Sequence, residues 1–171
     1  MFSKSSKEAD ILVEVQRALL GRPGVVGTAR GMSLFGEHAA GWLALGAAGA
    51  VVDKPRRRKW VALVGAAFVS HAASVVIKRI VRRPRPTDPR IEIGVGTPSS
   101  LSFPSSHATS TTAALVSLSM LLGKKWPLLG VPLMMLSRMV LGVHYPTDVA
   151  TGAALGAATA VAASEIEKRS A

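Results

Sequence analysis

The sequence predicts an all-α fold: an integral membrane bundle of about five transmembrane helices behind an N-terminal amphipathic surface helix. Three observations carry this reading. Hydrophobic residues make up 49% of the chain but aromatics only 5%, so the apolar content is largely Ala, Val, Leu and Gly. Membrane helices pack closely through small side chains of this kind. Five apolar segments of helix length follow one another, separated by charged or proline-containing breaks. Cysteine is absent, which excludes a disulfide framework and a thiolate metal site. At 171 residues the chain fits one domain, 1–171. Residues 1–35 form its amphipathic N-terminal segment and 36–165 its transmembrane core.

Met1–Arg30 is polar and basic. It lacks the continuous apolar core and small-residue cleavage site of a signal peptide. Within it Ile11, Leu12, Val15, Ala18 and Leu19 recur at helical spacing, with Glu14, Gln16 and Arg17 largely opposite. Such a helix suits a membrane surface, and equally suits packing against the body of the protein. The candidate spans are Glu37–Val52, Trp60–Ile77, His107–Gly123, Trp126–Val143 and Val149–Ser164. Gly152 and Gly156 in the last form a small-xxx-small pair for close helix packing. Trp42, Trp60 and Trp126 read as interfacial anchors, and His71, in mid-span, as a buried, hydrogen-bonded histidine.

Threading five spans puts Asp53–Lys59, Lys124-Lys125 and Lys168-Arg169 on one face. The long Arg79–Ser106 loop falls on the other, with the starts of the third and fifth spans. Positive-inside reasoning makes the first face cytoplasmic, and predicts a multi-pass plasma-membrane protein with its chemistry outside the cytoplasm. A formal net charge of +11 fits anionic lipid headgroups or phosphorylated substrates. Nucleic acid is excluded, since the basic residues lie between apolar segments and few aromatics are available to stack on bases. A homo-oligomer stays open.

Three clusters on that second face carry phosphate-type chemistry. The first is Lys78 with Arg85-Pro86. Lys supplies a compact charge, and Arg a planar fork that binds two phosphate oxygens. Alone, these residues read sooner as part of a lipid-headgroup collar with Arg79, Arg82, Arg83 and Arg90. The second is Pro104-Ser105-Ser106-His107, where the serines suit an N-cap and the helix start attracts an anion. His107 in that first turn can protonate a departing alkoxide. The third is Ser137-Arg138, then His144 and Asp148. A carboxylate at i+4 can fix the His144 tautomer and leave its other nitrogen free to attack. Arg138, at membrane depth, needs an anionic partner: a bound phosphate, or Asp148 in a structural ion pair.

Lys78-x6-Arg85-Pro86, Pro104-Ser105-Ser106-His107 and Ser137-Arg138-x5-His144-x3-Asp148 together resemble the three signature motifs of the type-2 phosphatidic acid phosphatase superfamily. The resemblance implies that His144 is a nucleophile forming a phosphohistidine, that Asp148 orients it, and that His107 is the general acid. It implies that Lys78, Arg85, Ser105, Ser106 through its backbone N–H, and Arg138 hold the phosphoryl oxygens. Ser106 stands where the family usually has Gly, an exchange that keeps the N–H. Glu37 and His38 are candidate headgroup contacts. No metal and no cofactor are called for, because phosphoryl transfer needs chiefly positioning and charge stabilisation.

The implied activity is hydrolysis of a phosphate monoester or diphosphate on a membrane lipid. The Ala/Gly/Arg-rich chain is similar to actinobacterial members acting on polyprenyl-linked sugar phosphates such as decaprenylphosphoryl-5-phosphoribose. Alternatives are an undecaprenyl diphosphate, phosphatidic acid or phosphatidylglycerophosphate phosphatase. The non-enzymatic alternative is a lipid-phosphate binding or transport protein, which needs neither His107 nor a His144–Asp148 pair. The vanadium haloperoxidases share the motifs but are soluble and larger.

Overall fold

A computed structural model describes residues 7–170. Residues 1–6 of the basic lead-in lie outside that range. Seven α-helices run in order: α1 Lys7–Leu19, α2 Val25–Gly36, α3 Ala40–Val52, α4 Arg57–Val81, α5 Ser106–Leu122, α6 Gly130–Val140 and α7 Pro146–Arg169. No strand occurs among the described residues; an isolated antiparallel bridge joins Pro84 and Leu101.

α5 is the central helix and packs on α7, α4, α6 and α3. Its N-cap is Ser105, whose hydroxyl accepts from the Ala108 N–H, and it ends at Gly123 in the left-handed region, φ 62°. That positive φ suits glycine, which has no Cβ to clash. α7 begins on Pro146, whose missing N–H costs nothing at a first helical position. α5 and α7 approach closely: a Cβ at Gly156 would meet the Thr109 carbonyl oxygen at 2.2 Å, and one at Gly152 the Ser105 carbonyl oxygen at 2.7 Å. The small-xxx-small pair does pack helices. Leu63, Ala67 and Ala114 form a core cluster with Trp42, Leu43, Trp60 and Leu118 around it.

Each expected apolar segment is helical, but not every one has the length of a span on its own. Among the described residues, α4 with its leading turn (Lys54–Val81) and α7 are long and apolar enough to cross a membrane. α3 and α6 have 13 and 11 residues, or about 20 and 17 Å at 1.5 Å per residue. Short 3₁₀ turns at Glu37–Ala39 and Trp126–Leu129 replace α-helix at their starts. α5, at 17 residues, is rich in Ser and Thr. Outward-facing apolar side chains are nevertheless abundant, among them Phe68, Val76, Ile80, Leu129 and Leu133.

α1 packs on the body through Leu12 and Ala9, both buried, while Ile11 faces outward. Gln16, expected on the polar side, is buried. Its amide donates to the carbonyls of Glu92 (2.7 Å) and Val140 (2.9 Å) and accepts from the Glu92 N–H (2.9 Å). α2 was not expected as a separate helix; Ala29 ties it to Val140, Leu141 and Val143. Two tryptophans serve the protein's own packing: Trp42 donates to Thr111 Oγ1 and Trp60 to Asp53, both at 2.9 Å. Trp126 is 63% exposed, as an anchor would be.

Candidate active site

The end of α4, the starts of α5 and α7 and the end of α6 meet around a cavity of about 400 Å³. Its lining includes Lys78, Arg85, Ser106, His107, Arg138 and His144, so the three clusters converge as expected. Lys59, Leu121 and Lys168 gather around a separate pocket formed by the opposite ends of α4, α5 and α7.

His144 lies in the turn between α6 and α7 and is 2% exposed. Arg85 Nη1 sits 3.2 Å from its Nε2. A guanidinium only donates, so Nε2 accepts and the ring proton belongs on Nδ1. That nitrogen faces Asp148 Oδ2 at 3.6 Å, which is juxtaposition and not yet a hydrogen bond. The expected contact is loose because Asp148 is already engaged. Its Oδ2 accepts from the Tyr145 N–H at 2.8 Å and its Oδ1 from Arg83 at 2.9 Å. Burial first, then the charges of Arg85, Arg138 and Lys78, holds the His144 imidazole well below its usual range. At neutral pH it is therefore uncharged, as a nucleophile must be.

Arg85 also donates to the carbonyls of Ser99 and Val143, both at 2.7 Å. Burial pushes its guanidinium down to about 10, against the pull of Asp148; it keeps its charge at neutral pH. Lys78 Nζ donates to three carbonyls of the long loop: Leu101 (3.2 Å), Ser102 (3.1 Å) and Pro104 (3.0 Å). It thus brings its charge to the cavity wall while stapling that loop. Arg138 is 2% exposed. It donates to Ser33 Oγ at 2.6 Å, while its Nε is buried without a partner among the described residues. It does not pair with Asp148: that carboxylate's arginine is Arg83.

His107 Nε2 lies 2.9 Å from the Ser33 carbonyl oxygen. A carbonyl only accepts, so Nε2 carries hydrogen and Nδ1 is the atom left to exchange a proton. Ser105 is fully buried as the α5 N-cap, and its N–H donates to the Asp148 carbonyl at 3.0 Å. It joins the starts of α5 and α7 from behind the cavity. Ser106 is on the wall, its hydroxyl accepting from Ser74 at 2.8 Å. It is absent from the positive-φ residues, so Ser in place of Gly is unstrained.

Glu37 and His38 line the same cavity, with His71 and Arg79. His38 and Ala39 both take left-handed backbone, φ 50° and 60°, which costs energy for residues bearing a Cβ. The His38 and His71 rings lie 6.0 Å apart. His71 Nδ1 is buried without a partner among the described residues, which corrects the expectation of a hydrogen-bonded core histidine. Sequence reasoning missed Ser33 altogether and left Arg83 in a headgroup collar. Nothing in the Ser33 neighbourhood marks it, whereas Arg83 sits two residues before Arg85.

This cavity, which gathers His107 and His144 with Lys78, Arg85 and Arg138 within an all-helical fold, matches the phosphoryl-transfer enzymes that the motifs resemble. Residues 59–170 match the family model of the PAP2 superfamily, and the chain belongs to that superfamily. It is 62% identical over 145 residues to the decaprenylphosphoryl-5-phosphoribose phosphatase of Mycolicibacterium smegmatis, covering 85% of this chain and 81% of that one. It is 55% identical over 150 residues to the Mycobacterium tuberculosis protein of the same name, covering 88% and 85%. Two solved structures share the fold. Aquifex aeolicus LpxE superimposes with a TM-score of 0.76 at 17% identity, over 96% of this chain and 99% of that one. A transmembrane PAP2-type phosphatidylglycerolphosphate phosphatase from Bacillus subtilis gives 0.71 at 20%, over 97% and 89%.

Proposed function

We propose that this chain is a membrane phosphatase that removes the 5-phosphate from decaprenylphosphoryl-5-phosphoribose or a near relative. The carrying observation is the His144 Nε2 lone pair, set among Arg85, Arg138 and Lys78 at one end of a cavity. Strong identity over most of the chain to two phosphatases of that name supports the substrate.

In the mechanism, Nε2 of His144 attacks phosphorus and forms a P–N bond as the P–O bond to the sugar breaks. Protonated His107 gives its Nδ1 proton to the departing alkoxide. Neutral His107 then takes a proton from a water that attacks the phosphohistidine. The P–N bond breaks, and phosphate leaves. Asp148 stabilises the positive charge that grows on His144 during attack. Arg85, Arg138, Lys78 and the backbone N–H of Ser106 at the α5 start offset charge on the phosphoryl oxygens in a site sheltered from water, while Ser105, whose N–H is taken by the Asp148 carbonyl, holds that helix start in place. That cation set makes the reaction independent of a metal ion. Glu37 and His38 face the headgroup.

The catalytic unit is a single domain with five membrane crossings, α3 to α7, and α1 lies against it. The active face is extracytoplasmic, in the plasma membrane; the outward apolar belt and the basic opposite end support this. The deciding measurement is phosphate release by purified protein in detergent with excess chelator. Decaprenylphosphoryl-5-phosphoribose should be cleaved with much higher kcat/KM than ribose 5-phosphate, and His144→Ala should remove both activities. Equal efficiency on the two substrates would refute selection by the lipid; strict magnesium dependence would refute the cation set.

A further inference from the structure

The carboxylate that serves His144 is shared, and the competing partner is anchored to the N-terminal helix. Arg83 Nη1 donates to Asp148 Oδ1 at 2.9 Å and to Thr147 Oγ1 at 2.7 Å. Its Nη2 pairs with Glu8 of α1. Glu8 Oε1 in turn accepts from the Thr147 N–H at 3.0 Å and the Thr147 hydroxyl at 2.7 Å. The Arg83 guanidinium also lies over the Tyr145 ring, 4.2 Å from its centroid. Asp148 is fully buried, while Arg83 and Glu8 side chains are about a quarter exposed. A buried acid is thus wired to a surface helix through one arginine. Glu8 and α1 both lie before residue 59, where the family match begins.

We propose that Arg83, clamped by Glu8, is a positioning residue that divides Asp148 between itself and His144 and so sets the basicity of the nucleophile. The inference rests on the phosphatase reading above. In the resting arrangement Asp148 gives its shorter contacts to Arg83 and the Tyr145 N–H, and His144 Nδ1 waits at 3.6 Å. Partial neutralisation by Arg83 keeps Asp148 from drawing a proton onto His144 before substrate arrives. When attack makes the imidazole cationic, the same carboxylate gains from closing that gap.

The remaining groups facing His144 are Arg85 from the long loop, Lys78 from α4, His107 from α5 and Arg138 from α6. These are cationic or neutral; Glu37 also lines the cavity, but Asp148 is the carboxylate set against the His144 ring, at 3.6 Å, so its availability can raise the ring's basicity. Glu8 draws Arg83 the other way and limits how completely Asp148 is neutralised. The lowered Glu8 pKa agrees with this: burial opposes ionisation, but the hydrogen bonds from Thr147 and the contact with Arg83 outweigh it and keep Glu8 charged.

The test is the acid limb of kcat/KM against pH, which reports the free enzyme, on one aryl phosphate for all variants so that substrate titration cancels. Arg83→Gln removes a cation and frees Asp148, and the limb should move to higher pH by about one unit. Arg83→Lys keeps the charge without the fork, so the limb should stay near its wild-type position while kcat falls. Glu8→Gln should displace the limb the opposite way, to lower pH, because Arg83 then acts on Asp148 undivided. Opposite displacements distinguish electrostatic control from a structural role, which moves rate without moving the limb. A folded, active Arg83→Gln enzyme with an unshifted limb overturns the proposal. Should that variant lack turnover, the Glu8→Gln limb decides, and no displacement overturns it. An inactive wild-type protein would instead strike the phosphatase reading.

Discussion

At the scale of single residues, Ser33 does two separable things. Its hydroxyl accepts from Arg138, and its backbone carbonyl accepts from His107. Ser33→Ala should therefore loosen Arg138 alone. A hydrogen bond to a charged group is worth about 1.5–3 kcal/mol, so vanadate or phosphate affinity should fall roughly tenfold or more, with Ser33→Thr restoring it. Leaving-group dependence should not change, because the His107 anchor is backbone; a change there would show that the two roles are not separable. His107→Ala should give the complementary pattern. Loss of a general acid costs about 10²–10⁴-fold, which should appear in full on alkyl phosphates and only partly on activated aryl phosphates. Equal losses on both would remove His107 from that role. That Lys78, Arg85, His107, Arg138 and His144 meet at one cavity, with Asp148 beside His144, was legible because residue type, spacing and position beside apolar runs all agreed. Arg83 and Ser33 were not. Four arginines crowd residues 79–85, and only the folded loop decides which meets Asp148. Ser33 belongs to a helix whose existence depends on packing.

Elements show the same division. α4, α5 and α7 could be read from apolar length, and α5 also from the serine N-cap at its start, Ser105. α2 could not: Val25–Gly36 contains Gly27, Gly31 and Gly36, each unfavourable to an isolated helix by about 1 kcal/mol. Its burial against α6 supplies what propensity lacks. Gln16 was misassigned because glutamine scores as polar, although here it completes buried backbone of the long loop and α6. The α5–α7 contact gives a direct test of element packing. Gly156→Ala would place a methyl 2.2 Å from the Thr109 carbonyl and 3.0 Å from the Ala113 nitrogen. The helices must separate, at about 1–3 kcal/mol, carrying His107 away from His144. Thermal stability in detergent and kcat should both fall. Gly65→Ala on α4, with nothing within 4 Å, should do neither harm. Unchanged behaviour of Gly156→Ala would mean that the helices tolerate a wider spacing.

For the whole molecule, the expected sidedness can be measured directly, since the chain has no native thiol. Ser100 and Lys125 are both exposed and belong to opposite ends of the bundle. With cysteines placed singly at those positions, an impermeant reagent on intact cells should label 100 and spare 125. The reverse pattern would move the chemistry to the cytoplasmic leaflet.

The distribution of polarity within the bundle also bears on how the chain is made. Its most hydroxylated helix is at the centre: Thr109, Ser110, Thr111, Thr112 and Ser117 of α5 are all buried. Thr109 and Ser110 bond back to carbonyls four residues earlier, at 2.8 and 3.0 Å. Thr112 and Ser117 hydroxyls find no partner among the described residues. Such a segment gains little by entering hydrocarbon alone, whereas α4 and α7 can enter on their own apolar length. α5 leaves the ribosome before α7, the helix it packs on most. Its hydroxyls are therefore fully enclosed only once α7 has been made and packs against it. A nascent chain stopped before Pro146 would hold every cation of the site and His107, yet lack a committed central helix.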